Sequence, residues 1–223
     1  MARALKDVRN GKTPDGAESD RAVREMSEMV SRNRDAMLAL TLIKNFDEYT
    51  YNHSVNVSVL SLAMAETLGL SETERIGVGV AGLLHDVGKT QLALDLIRKP
   101  GTLTVEEFEE IKKHPEEGFA ILGKMTHIQE STRCVVREHH MRFDRTGYPR
   151  PEPEYRMNPH SYVIAVADCY DALTTMRSYQ KARTPQQALE IMRALAGHAL
   201  PPPSAPCPPL RRHRPPHRAA ERR

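Results

Sequence analysis

Residues 135–150 read VVREHHMRFDRTGYPR. The first half continues a helical apolar spacing, and the second half, with Gly147 and Pro149, cannot extend it. Two adjacent histidines, His139 and His140, end that helix, and a Gly-Tyr-Pro turn follows within a few residues. The pattern suggests one wall of a site with a loop over it. The other walls have to come from elsewhere in the chain.

Those other segments read as helices. Towards the N-terminus, apolar residues recur at helical spacing from about Asp20, from Val23 and Met26 through Leu38 and Leu42. A second pattern covers about 49–68, and Gly69 is placed to stop it. Ser71 with Glu74 three residues on is a capping-box signature that starts a helix running through Leu84. Thr104 with Glu107 starts another, which stops before Pro115, and further helices are expected over about 116–124 and 128–140. Residues 141–158 hold three prolines and read as loop, and helices resume over Pro159–Thr174 and Pro185–Ala196. VIAVA at 163–167 could pass for a buried strand, but its flanks are helical. The expected fold is all-α: a helical bundle over residues 21–198, a polar linker over 1–20, and a disordered Pro/Arg-rich tail over 199–223.

Composition narrows the class. The 223 residues suit one domain; 39% are hydrophobic and only 5% aromatic. Cys134, Cys169 and Cys207 have no paired spacing, which argues against a disulfide framework. No apolar run approaches a membrane span, and MARALKDVRNGKTPDG has no signal-peptide core, so a cytoplasmic, non-membrane protein is expected. The net charge of +3 is misleading, because residues 201–223 hold six arginines and one glutamate, and the remainder carries 26 basic against 28 acidic residues. The body therefore has no charge footprint for nucleic acid. The same tail holds eight of the sixteen prolines; it reads either as an arm for an acidic partner or as the product of a shifted reading frame.

Five histidines stand out from the ten. His53 lies on a helical face in YTYNHSVNVSVL, His85 precedes Asp86 in AGLLHDVGK, His114 closes a helix in KKHPEEG, and His139 and His140 form the pair already described. His127, His160 and His198 sit in polar or loop contexts and read as ordinary. Asp168 is embedded in the apolar VIAVADCYDAL, with Asp171 one turn on. A carboxylate there is costly unless paired, capping or metal-bound. Imidazole and carboxylate suit first-row divalent metals. A carboxylate can bridge two metals and imidazole cannot, which makes Asp86 the candidate bridge. Taken singly, each residue has a structural reading; together, on separate helices, they suggest a centre in a bundle core.

The order H…HD…H…HH…D, with HDVGK and the later GYP, resembles the HD-GYP subgroup of the HD phosphohydrolase superfamily over about residues 45–196. DEYTYNHS, LLHDVGK, KPGTLTVEEFEEIKKHPEEG and VADCYDALTTMRSYQKA carry the resemblance in the same order. It implies an HD-type helical bundle and a metal-dependent phosphodiesterase that hydrolyses cyclic di-GMP to pGpG or GMP. It makes His53, His85, Asp86, His114, His139, His140 and Asp168 metal ligands, with Asp86 and Lys89 catalytic. Lys89, Arg145, Gly147, Tyr148, Pro149, Arg177 and Lys181 would meet the substrate. Tyr49 stands where trinuclear members carry a glutamate, so two divalent ions, iron or manganese, are expected. Other implied associates are GGDEF-type or other signalling proteins and further copies of the chain.

The chain departs from the family form HHE-x-x-DG-x-GYP at Met141 and Arg145. Arg145 replaces a glycine and adds a cation near the expected anionic ligand. Three rival readings stay open: a catalytically weak cyclic di-GMP receptor, an HD hydrolase of another cyclic dinucleotide, and a helical adaptor with chance histidines.

Overall fold

The computed structural model describes residues 16–42, 49–97, 99, 101–175 and 182–203. Among these, every regular element is helical. In chain order α1 is Gly16–Arg32, α2 Arg34–Thr41, α3 Tyr49–Thr67 and α4 Glu72–Leu84. A 3-10 turn, Val87–Gln91, leads to the short α5, Leu94–Ile97, then α6, Val105–Ile111, and α7, His114–Leu122. α8 is Glu130–Glu138, α9 Pro159–Thr174 and α10 Pro185–Leu195.

Local chemistry sets these boundaries. α4, α6 and α10 each open with a reciprocal capping box, at Ser71/Glu74, Thr104/Glu107 and Thr184/Gln187. Pro159 sits in the first turn of α9, where its missing N–H costs nothing, and the Asn158 side chain accepts the His160 N–H. Gly69, at φ +70°, closes α3 in the left-handed region.

α4 is buried on all sides from Val78 to Leu84 and forms the middle of the bundle. It packs on α1, α3 and α8, and α9 closes over α3. Val23, Leu62, Leu84, Leu122 and Ile164, from five different helices, are at most 1% exposed. Truncating Leu62 or Ile164 to Ala would cost about 2–5 kcal/mol through lost burial and the cavity left behind. This core holds the C-terminal end of α4, and so His85 and Asp86, at a fixed place.

Three expectations need correction. The apolar run from Asp20 to Leu42 is two helices: Asn33 interrupts it, its side chain accepting the Ala36 N–H at 3.1 Å. Asparagine competes with the helical backbone and favours a cap. α1 starts at Gly16, inside the supposed linker, with Gly16 and Ser19 buried. The packed body also runs past residue 198: Leu200 is buried, and Pro201–Pro203 line a cleft of about 330 Å³ with Tyr162, Leu189 and Met192. Residues 204–223 lie outside the described residues. VIAVA at 163–167 is helical, within α9.

Candidate metal centre

Five segments converge on one point. His53 comes from α3, His85 caps the end of α4, and Asp86 precedes the 3-10 turn. His114 is the first residue of α7, His139 caps α8 with His140 next to it, and Asp168 lies in α9. A Cβ on Gly88 would lie 1.9 Å from the His114 carbonyl oxygen, so only glycine lets the 3-10 turn press against α7 and bring Asp86 to His114.

The side chains form two groups that meet at Asp86. His53, His85 and Asp168 have ligand atoms within 4.8 Å of one another, and so do His114, His139 and His140. Asp86 Oδ2 faces the first group, 3.4 Å from His85 Nε2 and 3.9 Å from His53 Nε2. Its Oδ1 faces the second, 3.3 Å from His114 Nε2. His53 Nε2 lies 3.2 Å from Asp168 Oδ1.

The outer hydrogen bonds fix which ring nitrogen points inward. Nδ1 of His85, His114 and His139 donates to the carbonyls of Gly82, Ile111 and Val136, each three residues back, at 2.8, 2.8 and 2.6 Å. Nδ1 of His53 donates to Asp171 Oδ2 at 2.7 Å. Nε2 of each ring therefore turns towards the centre, with a lone pair when the ring is neutral. His114 Nε2 and His139 Nε2 face each other at 3.2 Å with both rings' Nδ1 hydrogens donated elsewhere. His85 Nε2 and Asp86 Oδ1 are buried without a hydrogen-bond partner. Facing lone pairs and orphaned buried acceptors are costly alone and are satisfied by cations. The donor set of imidazole and carboxylate fits divalent first-row metals.

Electrostatics agree. Burial lowers the His114 pKa to about 4 and the His140 pKa to about 3, and drives His139 down as well, so these rings stay neutral and ligand-competent. Burial also opposes a charge on His53, but hydrogen bonds to Asp168 and Asp171 overcome it and raise that pKa to about 9. Burial opposes ionisation of Asp86 too; Lys89 and the adjoining histidines outweigh it and hold the carboxyl well below its usual range.

Lys89 Nζ lies 2.6 Å from Asp86 Oδ2, its side chain about one-third exposed. The Tyr148 ring packs over His140 at 4.7 Å between centroids, and Tyr148 N–H donates to the His140 carbonyl at 2.9 Å. A Cβ on Gly147 would lie 1.9 Å from that carbonyl oxygen, which is why glycine precedes the tyrosine. Pro149 follows through a cis peptide bond. Arg145, expected at the substrate, has its guanidinium engaged within the loop. It donates to the carbonyls of Pro153 (2.7 Å) and Tyr155 and so holds the loop. Arg177 and Lys181 lie outside the described residues.

Two residues were under-read from sequence. Asp171, 1% exposed, was placed near Asp168 without a role; it orients His53 and also accepts from Asn56 at 2.9 Å. A second carboxylate three residues after the first, in the same apolar helix, was the available signal. His160, read as ordinary, is 3% exposed, because the Asn158 cap turns the start of α9 into the body.

A model of the HD domain family matches residues 19–202. The chain belongs to the HD domain family. It is 37% identical over 194 residues to the cyclic di-GMP phosphodiesterase PA4108 of Pseudomonas aeruginosa, a match covering 87% of this chain and 47% of that protein. It is 31% identical over 159 residues to 3'3'-cGAMP-specific phosphodiesterase 1 of Vibrio cholerae, covering 71% of this chain and 36% of that one. The chain thus spans half or less of the length of these relatives. The fold is shared with Bd1817, an HD-GYP-type protein from Bdellovibrio bacteriovorus, at a TM-score of 0.72 and 21% identity, over 90% of this chain and 63% of that one. HD domains are metal-dependent, and the clustered histidines and aspartates lie close enough together to hold a metal ion. Among the described residues no helix is long and apolar enough to cross a membrane.

Proposed function

We propose that the domain is a phosphodiesterase of the HD-GYP type, acting on cyclic di-GMP with two divalent ions, iron or manganese. The observation that carries this reading is the pair of three-residue groups sharing Asp86, whose two oxygens face different histidines. His53, His85 and Asp168 would hold one ion and His114, His139 and His140 the other, with Asp86 common to both. Such ions, when bound, supply Lewis acidity to phosphoryl oxygens and lower the pKa of water.

The chain's own residues do the rest. The backbone carbonyls behind His85, His114 and His139 fix their tautomers, so no proton has to move before they ligate. Lys89, beside Asp86, places a cation where charge grows on a transferring phosphoryl group. Tyr148 presents an aromatic face over His140, suited to stack on a nucleotide base. Burial raises its phenol pKa, so the ring stays neutral beside an anionic substrate.

A second substrate has a specific support, the similarity to a 3'3'-cGAMP-specific relative. The test is one assay of the manganese-loaded protein on cyclic di-GMP and on 3'3'-cGAMP, with linear products separated by chromatography. The proposal requires faster turnover of cyclic di-GMP. Preference for 3'3'-cGAMP would reassign the substrate, and inertness on both would end the reading.

A further inference from the structure

Glu138 immediately precedes the histidine pair, at the last position of α8, and is 1% exposed. Its carboxylate bonds to the segment that leads into α9. Oε1 accepts the Tyr155 hydroxyl at 2.6 Å, and Oε2 accepts the Asn158 backbone N–H and the Ser161 hydroxyl, each at 2.7 Å. Asn158 and Ser161 are the cap and first turn of α9, the helix that carries Asp168. Tyr155 belongs to the loop that returns from the Gly-Tyr-Pro turn, and Arg145 holds the same stretch through the carbonyls of Pro153 and Tyr155.

We propose that Glu138 is a positioning residue that ties the end of α8 to the start of α9 and so sets the gap between the His139–His140 pair and Asp168. This rests on the reading that those residues hold metal. A buried carboxylate is tolerated only when its oxygens are satisfied, and each of these bonds is short and charge-assisted. The three donors come from segments 17 to 23 residues further along the chain. The bonds therefore fix tertiary geometry, not the helix in which Glu138 sits. His139 and His140 follow Glu138 directly, so a shift of its anchor passes to them through one or two peptide units. Replacing the carboxylate frees α8 and α9 to slide, and a metal centre with donors from both helices loses its fit.

The test uses the full chain, stripped of metal and titrated with Mn²⁺ by calorimetry, beside thermal unfolding of the metal-free forms. E138A is expected to weaken Mn²⁺ binding by about 10- to 100-fold, the usual consequence of losing a partner that orients metal ligands. E138Q keeps an oxygen for Asn158 and Ser161 and an amide opposite the rotatable Tyr155 hydroxyl, so it should recover most of that loss. Tyr155→Phe removes one charge-assisted donor and should weaken binding measurably while lowering the unfolding temperature less than E138A does. If E138A does not fold, Tyr155→Phe and Ser161→Ala carry the test. Variants that bind Mn²⁺ like the parent overturn the proposal. So does equal loss in E138A and E138Q that merely follows their unfolding temperatures. Failure of the unsubstituted chain to bind Mn²⁺ instead overturns the metal reading itself.

Discussion

Asp171→Asn perturbs one atom and tests how the centre is held. Asp171 is 1% exposed, with Oδ2 accepting from His53 Nδ1 at 2.7 Å and Oδ1 accepting from Asn56 Nδ2 at 2.9 Å. An asparagine cannot satisfy both. If its oxygen faces His53, its amide meets the Asn56 amide donor to donor. If it turns round, it meets the His53 N–H instead. Either way one charge-assisted hydrogen bond is lost, about 1.5–3 kcal/mol of metal-free stability. Loss of the group that orients a ligating histidine costs about 10- to 100-fold in metal affinity, or about 1.4–2.7 kcal/mol. An opposing effect has to be separated. The carboxylates raise His53 to about 9, so below that pH a proton competes with metal, and removing Asp171 weakens that competition. The comparison therefore belongs near pH 9 or above, where the proton no longer decides. The assay is Mn²⁺ calorimetry of the metal-free protein, with thermal unfolding alongside. Parental affinity in Asp171→Asn at that pH would refute the claim that Asp171 orients His53 for metal.

Three further outcomes follow from the geometry. In the parent protein, Mn²⁺ affinity should rise with pH by up to about tenfold per unit from about pH 7 and level off near pH 9, because binding displaces the His53 proton while His114 and His140 are already neutral; a flat profile in calorimetry would contradict this. Gly88→Ala puts a methyl group 1.9 Å from the His114 carbonyl oxygen and should lower the unfolding temperature and abolish paired metal binding, read by elemental analysis. Arg145→Gly relieves a side chain held at φ +65°, worth about 1–2 kcal/mol, but gives up the bonds to Pro153 and Tyr155. It should change kcat on cyclic di-GMP by no more than about twofold, since the guanidinium is engaged by two loop carbonyls; a tenfold change would place Arg145 at the substrate.

Much of this was legible in sequence, for physical reasons that differ by element. The capping boxes at Ser71 and Thr104 are local chemistry, and those helices start where the side chains dictate. The convergence of His53, His85, Asp86, His114, His139, His140 and Asp168 could be expected because seven such donors on five separate segments have few other uses. What sequence hid is tertiary. Nothing local says that Asp171 reaches His53 or that Glu138 reaches Tyr155 and Ser161, 118 and 17–23 residues away. The direction of Arg145 was hidden for the same reason. Its position in the motif suggested a cation at the substrate, and its guanidinium donates to two backbone carbonyls of the returning loop. Asn33 split α1 from α2 against a continuous apolar pattern, because a cap competes where periodicity sees only spacing.

The central claim is that Asp86, shared by both groups, makes the site a metal-dependent phosphodiesterase. The direct measurement is hydrolysis of cyclic di-GMP by the parent protein and by Asp86→Ala, each loaded with manganese and assayed for metal content. The account predicts linear product from the parent and a rate at least about 10³-fold lower from the variant, alongside lost metal. Equal rates in the two proteins would contradict it.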